Sequence, residues 1–299
     1  MEFQRFTVKE YSRLEPYFHL RVGRACEEQI LSQYIWKELY DTSICIEEEV
    51  AYLRIKSGTK YYYFLPFCKE EKLSYYLSKL KSYVNETLND KLRLYLVEEK
   101  YLESLDLREE EYNIVTNVDW EDYVYDYEKL AKLSGKKYHK KKNHVNAFLK
   151  QYEGRYEYAT LTIEHKQEIE EFLIGWYENK VSEDAYMRLD NEAEGLKRVL
   201  NHLSQIKPIM AGIYIDGVLQ AFTMGSYNKE QQMAMIHIEK ANDKIRGLYP
   251  FINQQFLLHE MEGCKYVNRE DDMGLLSLRK AKESYHPIEK VKKYMVIQR

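Results

Sequence analysis

Two groups of residues in this chain have types and spacings suited to chemistry. One is a basic block, Gly135-Lys-Lys-Tyr-His-Lys-Lys-Lys-Asn-His-Val-Asn-Ala-Phe148, with five lysines and two histidines in a protein of formal net charge −4. Positive charge this local points to a site for an anion and not to general polycation behaviour. Tyr138, Val145, Phe148 and Leu149 recur at helical spacing through it. One side can therefore pack while Lys136, Lys137, His139, Lys140, Lys141, Asn143 and His144 project as donor-phosphate contacts. A second anion contact is expected at Lys244, Arg246 and Gly247, where a strand end leads into a helix and free backbone N–H groups face outward.

The other group is acidic. Glu270, Asp271 and Asp272 stand before a helix, where carboxylates also serve as ordinary caps. Glu270 or Asp271 is a candidate general base or an anchor for a substrate ammonium group. His237 and Glu239 lie two apart on a strand and are expected to share a face, with Glu239 as proton acceptor and His237 as a substrate contact. Tyr285, near the end of the last helix, is a candidate proton donor to a leaving group. No carboxylate or histidine cluster has metal-ligand spacing, so no metal is expected.

Composition narrows the class. At 299 residues with 44% hydrophobic and 31% charged content, the chain is an ordinary globular protein long enough for two domains. No stretch reads as a membrane span or a signal peptide, and a cytoplasmic protein is expected. Cys26, Cys45, Cys68 and Cys264 are scattered and read as reduced thiols. The absence of a GxSxG elbow, an HExxH pair, a Walker loop or a GxGxxG after a strand counts against serine hydrolase, zincin, P-loop and Rossmann readings.

The elements that must position these residues run in the same order twice. In the first half a hairpin over 50–66 turns at Lys56–Thr59, followed by a helix over 71–88, a strand over 92–97, a short helix near 102–105 and a strand over 112–118. In the second, a helical stretch near 169–177 precedes a hairpin over 209–227 that turns at Asp216-Gly217, and a further strand over 233–239. A helix over 250–261 ending at Gly263, a strand over 264–267, a helix over 275–285 and a last strand over 294–297 complete it. The pattern predicts a mixed α+β fold of two duplicated domains, 1–134 and 135–299, with the basic block opening the second.

The run Asp126 to Phe148 resembles the signature of bacterial proteins related to the C-terminal domain of phosphatidylglycerol lysyltransferase. So do the runs Lys240-Ala-Asn242 to Asn253 and Val267-Asn-Arg-Glu-Asp-Asp-Met-Gly274 to Pro287, and Tyr34-Ile-Trp-Lys-Glu-Leu-Tyr40. The resemblance implies tandem GNAT-like (N-acetyltransferase-type) domains, similar to the Fem transferases, and acyl or aminoacyl transfer. Asn242, Asn268 and Arg269 lie in those runs and join His237 as candidate substrate contacts. The implied donors are aminoacyl-tRNA or acyl-coenzyme A, and the acceptor is an amine or hydroxyl. The pyrophosphate loop of acetyltransferases has a small residue where this chain has Tyr249. A non-catalytic anion-binding or lipid head-group module is the rival class, and anionic membrane is a third partner for the basic block. The residues leave the oligomeric state open.

Overall fold

The computed structural model describes residues 1–179 and 186–299. They form two compact units, and the chain passes between them more than once. The first comprises Met1–Asp122, Asp271–Leu275 and Lys290–Arg299; the second comprises Tyr123–Glu270 and Leu276–Glu289.

The strands of the first half are β1 (Gln4–Arg5), β2 (Ser43–Ile46), β3 (Ala51–Ser57), β4 (Lys60–Tyr63), β5 (Arg93–Glu98) and β6 (Tyr112–Thr116). Then come β7 (Asp122–Asp126), β8 (Tyr156–Thr160), β9 (Ile209–Ile215), β10 (Val218–Asn228), β11 (Met233–Ala241), β12 (Tyr266–Asn268), β13 (Glu289–Val291) and β14 (Lys293–Gln298). The helices are α1 (Val8–Leu14), α2 (Ile30–Trp36), α3 (Leu73–Ser82), α4 (Glu99–Ser104), α5 (Tyr127–Lys132) and α6 (His139–Gln151). They continue with α7 (Lys166–Glu178), α8 (Tyr186–Leu200), α9 (Leu203–Ile206), α10 (Leu248–Glu260) and α11 (Leu276–Glu283).

Two sheets result, ordered β1-β2-β3-β4-β5-β14-β6 and β13-β7-β12-β11-β10-β9-β8. The duplicated pattern is present, with one exchange that the sequence reading does not contain. The last strand, expected to complete the second half, lies between β5 and β6 of the first sheet. In its place β7 pairs with β12 in the second sheet. A strand's side-chain alternation fixes which face it buries but not which neighbour it takes.

The division at Asp122/Tyr123 also precedes the expected boundary at 134. Its cause is packing: Tyr125, Leu130, Ala131, Leu133 and Tyr138 are buried in one core with Phe148, Ile252 and Phe256 of the second unit. The chain break that suggested 134 is real, since Leu133 has φ 45 and Gly135 has φ 91, but it is a turn within that unit.

The helix expected over 71–88 is α3 followed by a π-helical turn at Tyr83–Thr87. Leu73, Tyr76, Leu77, Leu80 and Val84 are all buried, as their spacing requires. Asp216 and Gly217 have φ 51 and 78, the left-handed pair that suits a tight hairpin.

Each sheet contains a parallel pair that meets only briefly. In the first sheet β4 and β5 pair at Tyr63 and Leu94. In the second, β11 and β12 pair from Met233–Tyr266 to Met235–Asn268 and then part, leaving Ile236–Ala241 without a β12 partner. Diverging parallel strands open a gap inside a sheet, and side chains near the gap are available for a site.

Candidate active site

The side chains around the two gaps differ. In the first unit the buried Arg21 guanidinium donates to the Pro66 carbonyl beyond β4, forks onto Glu28, and stacks 5.4 Å from the Tyr101 ring beyond β5. The chain's own cation bridges the diverging ends.

The second unit arranges its residues differently, and a bulge in β11 is the reason. Gly225 pairs with Ile236 and Met224 with Ile238, so His237 has no cross-strand partner. An extra residue reverses the alternation beyond it. Ala234 and Ile236 face the core under α10 before the bulge, and Ala241 does so after it. Glu239 consequently points to the α10 face, whereas His237 points to the opposite face beside Ser226. The expectation that His237 and Glu239 share a face fails for this reason. Lys240 falls on the α7 face, where its ammonium pairs with Glu192 at 2.6 Å over the Trp176 ring.

On the α10 face, both oxygens of the buried Glu239 are engaged. Oε1 accepts from Arg269 Nη2 at 2.9 Å, and Oε2 accepts from Asn253 Nδ2 at 2.7 Å. With both oxygens occupied, Glu239 serves here as counter-ion to Arg269. The Arg269 guanidinium lies 4.7 Å from the Tyr285 ring centroid, and Lys141 Nζ lies 3.8 Å from the same centroid. Two cations thus share one aromatic ring. Burial pushes the Tyr285 hydroxyl well above the usual phenol range, which makes it a weak acid and a poor donor to a leaving group. Among the described residues, Arg269 Nη1 and Asn253 Oδ1 are buried without a hydrogen-bond partner.

The basic block is brought here by α6. Its apolar residues Val145 and Phe148 are buried, and Phe148 stacks on Phe251 of α10 with centroids 4.5 Å apart. Burying a phenylalanine contributes about 2–3 kcal/mol, enough to fix the helix and the direction of its lysines. Gly247 lets α6 come this close: a Cβ there would lie 2.1 Å from the His144 carbonyl oxygen. Gly247 is therefore a packing residue beside α6.

Lys141 is pushed down to about 8 by burial, with Arg269 adding repulsion. His144 is lowered by burial and then by Arg246, Lys141 and Lys140. Arg246, Lys141 and Lys140 are thus close enough to disfavour a proton on His144, the condition an anion would relieve. Acetic anhydride labelling with peptide mass mapping should show Lys141 reacting with a midpoint near pH 8. A midpoint at the ordinary lysine value of roughly 10.4 would contradict its burial between cations.

The rest of the block faces elsewhere, as helical geometry requires. Lys136, His139 and Lys142 line an open concavity of about 660 Å³ with Lys132 and Gly135. Lys137, Asn143 and Lys244 are exposed, and the Lys137 carbonyl accepts from His286. Asn242 builds the turn between β11 and α10, accepting from the Lys244 amide and donating to Gln220. Asn268 holds the Glu270 amide at 2.6 Å. Glu270 is bonded to His237.

Asp271 belongs to the first unit and caps the Met273 amide, 3.9 Å from Lys293. The buried Lys293 ammonium also pairs with Asp122 at 2.8 Å and Glu27 at 2.9 Å. Cys26, Glu27 and Asp122 carry potential metal-ligand atoms within 4.8 Å of one another, but this cluster contains its own cation. The four cysteines are buried and none is in a disulfide. No helix among the described residues is long and apolar enough to cross a membrane.

Sequence reading missed Ser226, Asn253 and Lys282. Asn253 had one signal, a polar residue at a buried position of α10 between Ile252 and Phe256. Lys282 donates to the Arg269 carbonyl at 2.5 Å and the Glu270 carbonyl at 3.1 Å, which nothing in its exposed-looking basic helix foretells.

Known proteins supply the context for this geometry. A crystal structure of a conserved Bacteroides thetaiotaomicron protein of unknown function matches with TM-score 0.90 at 25% identity, covering 100% of both chains. The C-terminal domain of a putative lysylphosphatidylglycerol synthetase from Agrobacterium fabrum matches with TM-score 0.71 at 14% identity, over 98% of this chain and 92% of that one. L-PGS from Bacillus licheniformis matches with TM-score 0.66 at 14% identity, over 96% and 91%. An uncharacterised protein of Mycoplasmoides gallisepticum is 28% identical over 178 residues; the match covers 58% of this chain and 55% of that protein, about half its length. The fold is a tandem of GNAT-like units, a likeness shared with a GNAT-family acetyltransferase from Colwellia psychrerythraea at TM-score 0.50, 8% identity and 100% and 99% coverage. The model of the phosphatidylglycerol lysyltransferase C-terminal family matches residues 22–297, and the chain belongs to that family.

Proposed function

We propose that this protein transfers an aminoacyl group from aminoacyl-tRNA to a hydroxyl or amine acceptor, with the reaction site in the second unit. The observation that carries this reading is the convergence of Lys140, Lys141, His144 and Arg246 beside the Glu239–Arg269 pair at the open end of β11. Membership in a lysyltransferase family and the GNAT-like fold support a transferase of this kind.

The roles follow from the geometry. Lys140 and Arg246 are exposed and meet donor phosphates. Lys141, held only by the Tyr285 ring among the described residues, offers N–H donors to the oxyanion of the tetrahedral intermediate. Arg269 and Glu239 fix that ring and the local charge. Catalysis here is chiefly positioning and oxyanion stabilisation. Tyr249, standing where a small residue would let a pyrophosphate approach the backbone, supports tRNA over acyl-coenzyme A as donor. Lysyl-tRNA and a phosphatidylglycerol head group are the first donor and acceptor to try, given the family.

Salt separates the donors. With about four phosphate contacts, tRNA affinity should fall roughly a hundredfold between 50 and 200 mM salt. Filter binding at both concentrations checks this. Stabilisation of the protein by acetyl-coenzyme A with no tRNA binding at low salt would refute the aminoacyl reading.

A further inference from the structure

Arg269 and Glu270 follow β12 past Asn268, the last residue that pairs with β11. Their carbonyls therefore leave that ladder and need other donors. One side chain of α11 serves both: Lys282 Nζ donates to the Arg269 carbonyl at 2.5 Å and to the Glu270 carbonyl at 3.1 Å. Lys282 is only 7% exposed. Taking an ammonium out of water is unfavourable, and a tight turn could have satisfied the same two carbonyls without a charge. The neighbours of Lys282 show what the ammonium secures.

The contacts around Lys282 close on themselves. Its own carbonyl accepts from the Tyr125 hydroxyl at 2.8 Å, and the Tyr125 ring lies 5.9 Å from the Arg269 guanidinium. The same carbonyl accepts from the Tyr285 amide at 3.1 Å, and the Tyr285 carbonyl accepts from the Tyr138 hydroxyl at 2.8 Å. Lys282 thus holds Arg269 by its ammonium and Tyr285 by its carbonyl. These are the two residues whose stack Lys141 shares, at 4.7 and 3.8 Å from the Tyr285 ring centroid. Glu270 is clamped from the other side. Asn268 accepts from its amide, Tyr123 N donates to its carbonyl, and its carboxylate meets His237 Nδ1 at 2.7 Å. Together these contacts impose its left-handed φ of 58, so the backbone next to Arg269 is fixed.

We propose that Lys282 is a positioning residue for the transfer reaction, holding Arg269 and Tyr285 together so that their stack stands beside Lys141 in the orientation the reaction requires. Lys282 touches no substrate in this role and acts through Arg269 and Tyr285. The inference rests on the acyl-transfer reading but does not depend on which donor supplies the acyl group. Loss of the ammonium releases the Arg269 backbone and lets the guanidinium withdraw from the shared ring. Lys141, which Arg269 repels, then binds its proton more tightly. Lys140, His144 and Glu239 also face Lys141, and none of them is held by Lys282.

The test reads two quantities in the full chain: the pH midpoint of Lys141 acetylation by acetic anhydride, and the single-turnover transfer rate. In Lys282→Met the midpoint should rise by roughly half a unit or more. The transfer rate should fall roughly tenfold to a hundredfold, while tRNA affinity, carried by the exposed Lys140 and Arg246, should stay within about twofold. Lys282→Arg keeps a buried cation with N–H donors and should restore both quantities in part. If Lys282→Met fails to fold by circular dichroism, Lys282→Gln, which keeps a donor without the charge, is read in the same way. A folded variant with wild-type midpoint and wild-type rate overturns the proposal and leaves the transferase reading intact. A slower rate with an unmoved midpoint also overturns it, since that is loss of structure alone. A midpoint that moves in a chain transferring from no donor keeps Lys282 as the residue that places Arg269 and Tyr285, and removes the transferase reading instead.

Discussion

Arg269→Met should destabilise the second unit by about 3–5 kcal/mol, because it leaves the Glu239 charge buried with one neutral partner. The Glu239 side chain is only 8% exposed, and without Arg269 its remaining hydrogen bond comes from Asn253. The double variant Glu239→Gln/Arg269→Met carries no uncompensated charge and should recover most of that loss. Urea midpoints of the two single variants and the double variant measure the coupling. Equal destabilisation in Arg269→Met and the double variant would show that the guanidinium matters by packing against Tyr285 and not by pairing. Donor binding should not recover in the double variant, since the charge balance beside Lys141 has changed.

Gly247→Ala should have the second-largest effect, and through a different cause. Its φ of 87 strains any other residue, and the new Cβ would sit 2.1 Å from the His144 carbonyl oxygen. The strain and the clash together should cost about 2–3 kcal/mol. Relief requires α6 to move off α10, carrying Lys140, Lys141 and His144 out of place. A shift of about 1 Å in a positioning element lowers turnover roughly a hundredfold. Gly135→Ala is the control: φ is 91, but a Cβ there meets nothing within 4 Å. It should show the strain without the displacement, so donor affinity should fall in Gly247→Ala and hold in Gly135→Ala. Similar affinities in both would remove α6 positioning from the account.

Much of the fold was legible because it rests on local rules. The Asp216-Gly217 turn, the apolar stripe of α3 and the break around Gly135 all depend on nearby residues alone. The placement of β14 was not legible, because alternation of side chains does not specify a neighbour. The site divides in the same way. The basic block was visible as charge, yet helix geometry splits it, turning Lys141 toward Tyr285, His144 toward Arg246, and Lys136 and His139 toward a separate concavity. The pairing of Glu239 with Arg269 was not legible because the two lie 30 positions apart. The shared face of His237 and Glu239 failed because a bulge has no dependable sequence mark. Asp271 looked equivalent to Glu270 in sequence, but the chain passes from one unit to the other between them.

The most direct measurement of the central claim is single-turnover transfer by the purified full chain, given radiolabelled lysyl-tRNA or acetyl-coenzyme A with phosphatidylglycerol vesicles and a panel of amine and hydroxyl acceptors. The aminoacyl label should leave the tRNA for an acceptor, with the rate falling in Lys141→Ala. Transfer from acetyl-coenzyme A with none from charged tRNA would contradict the account.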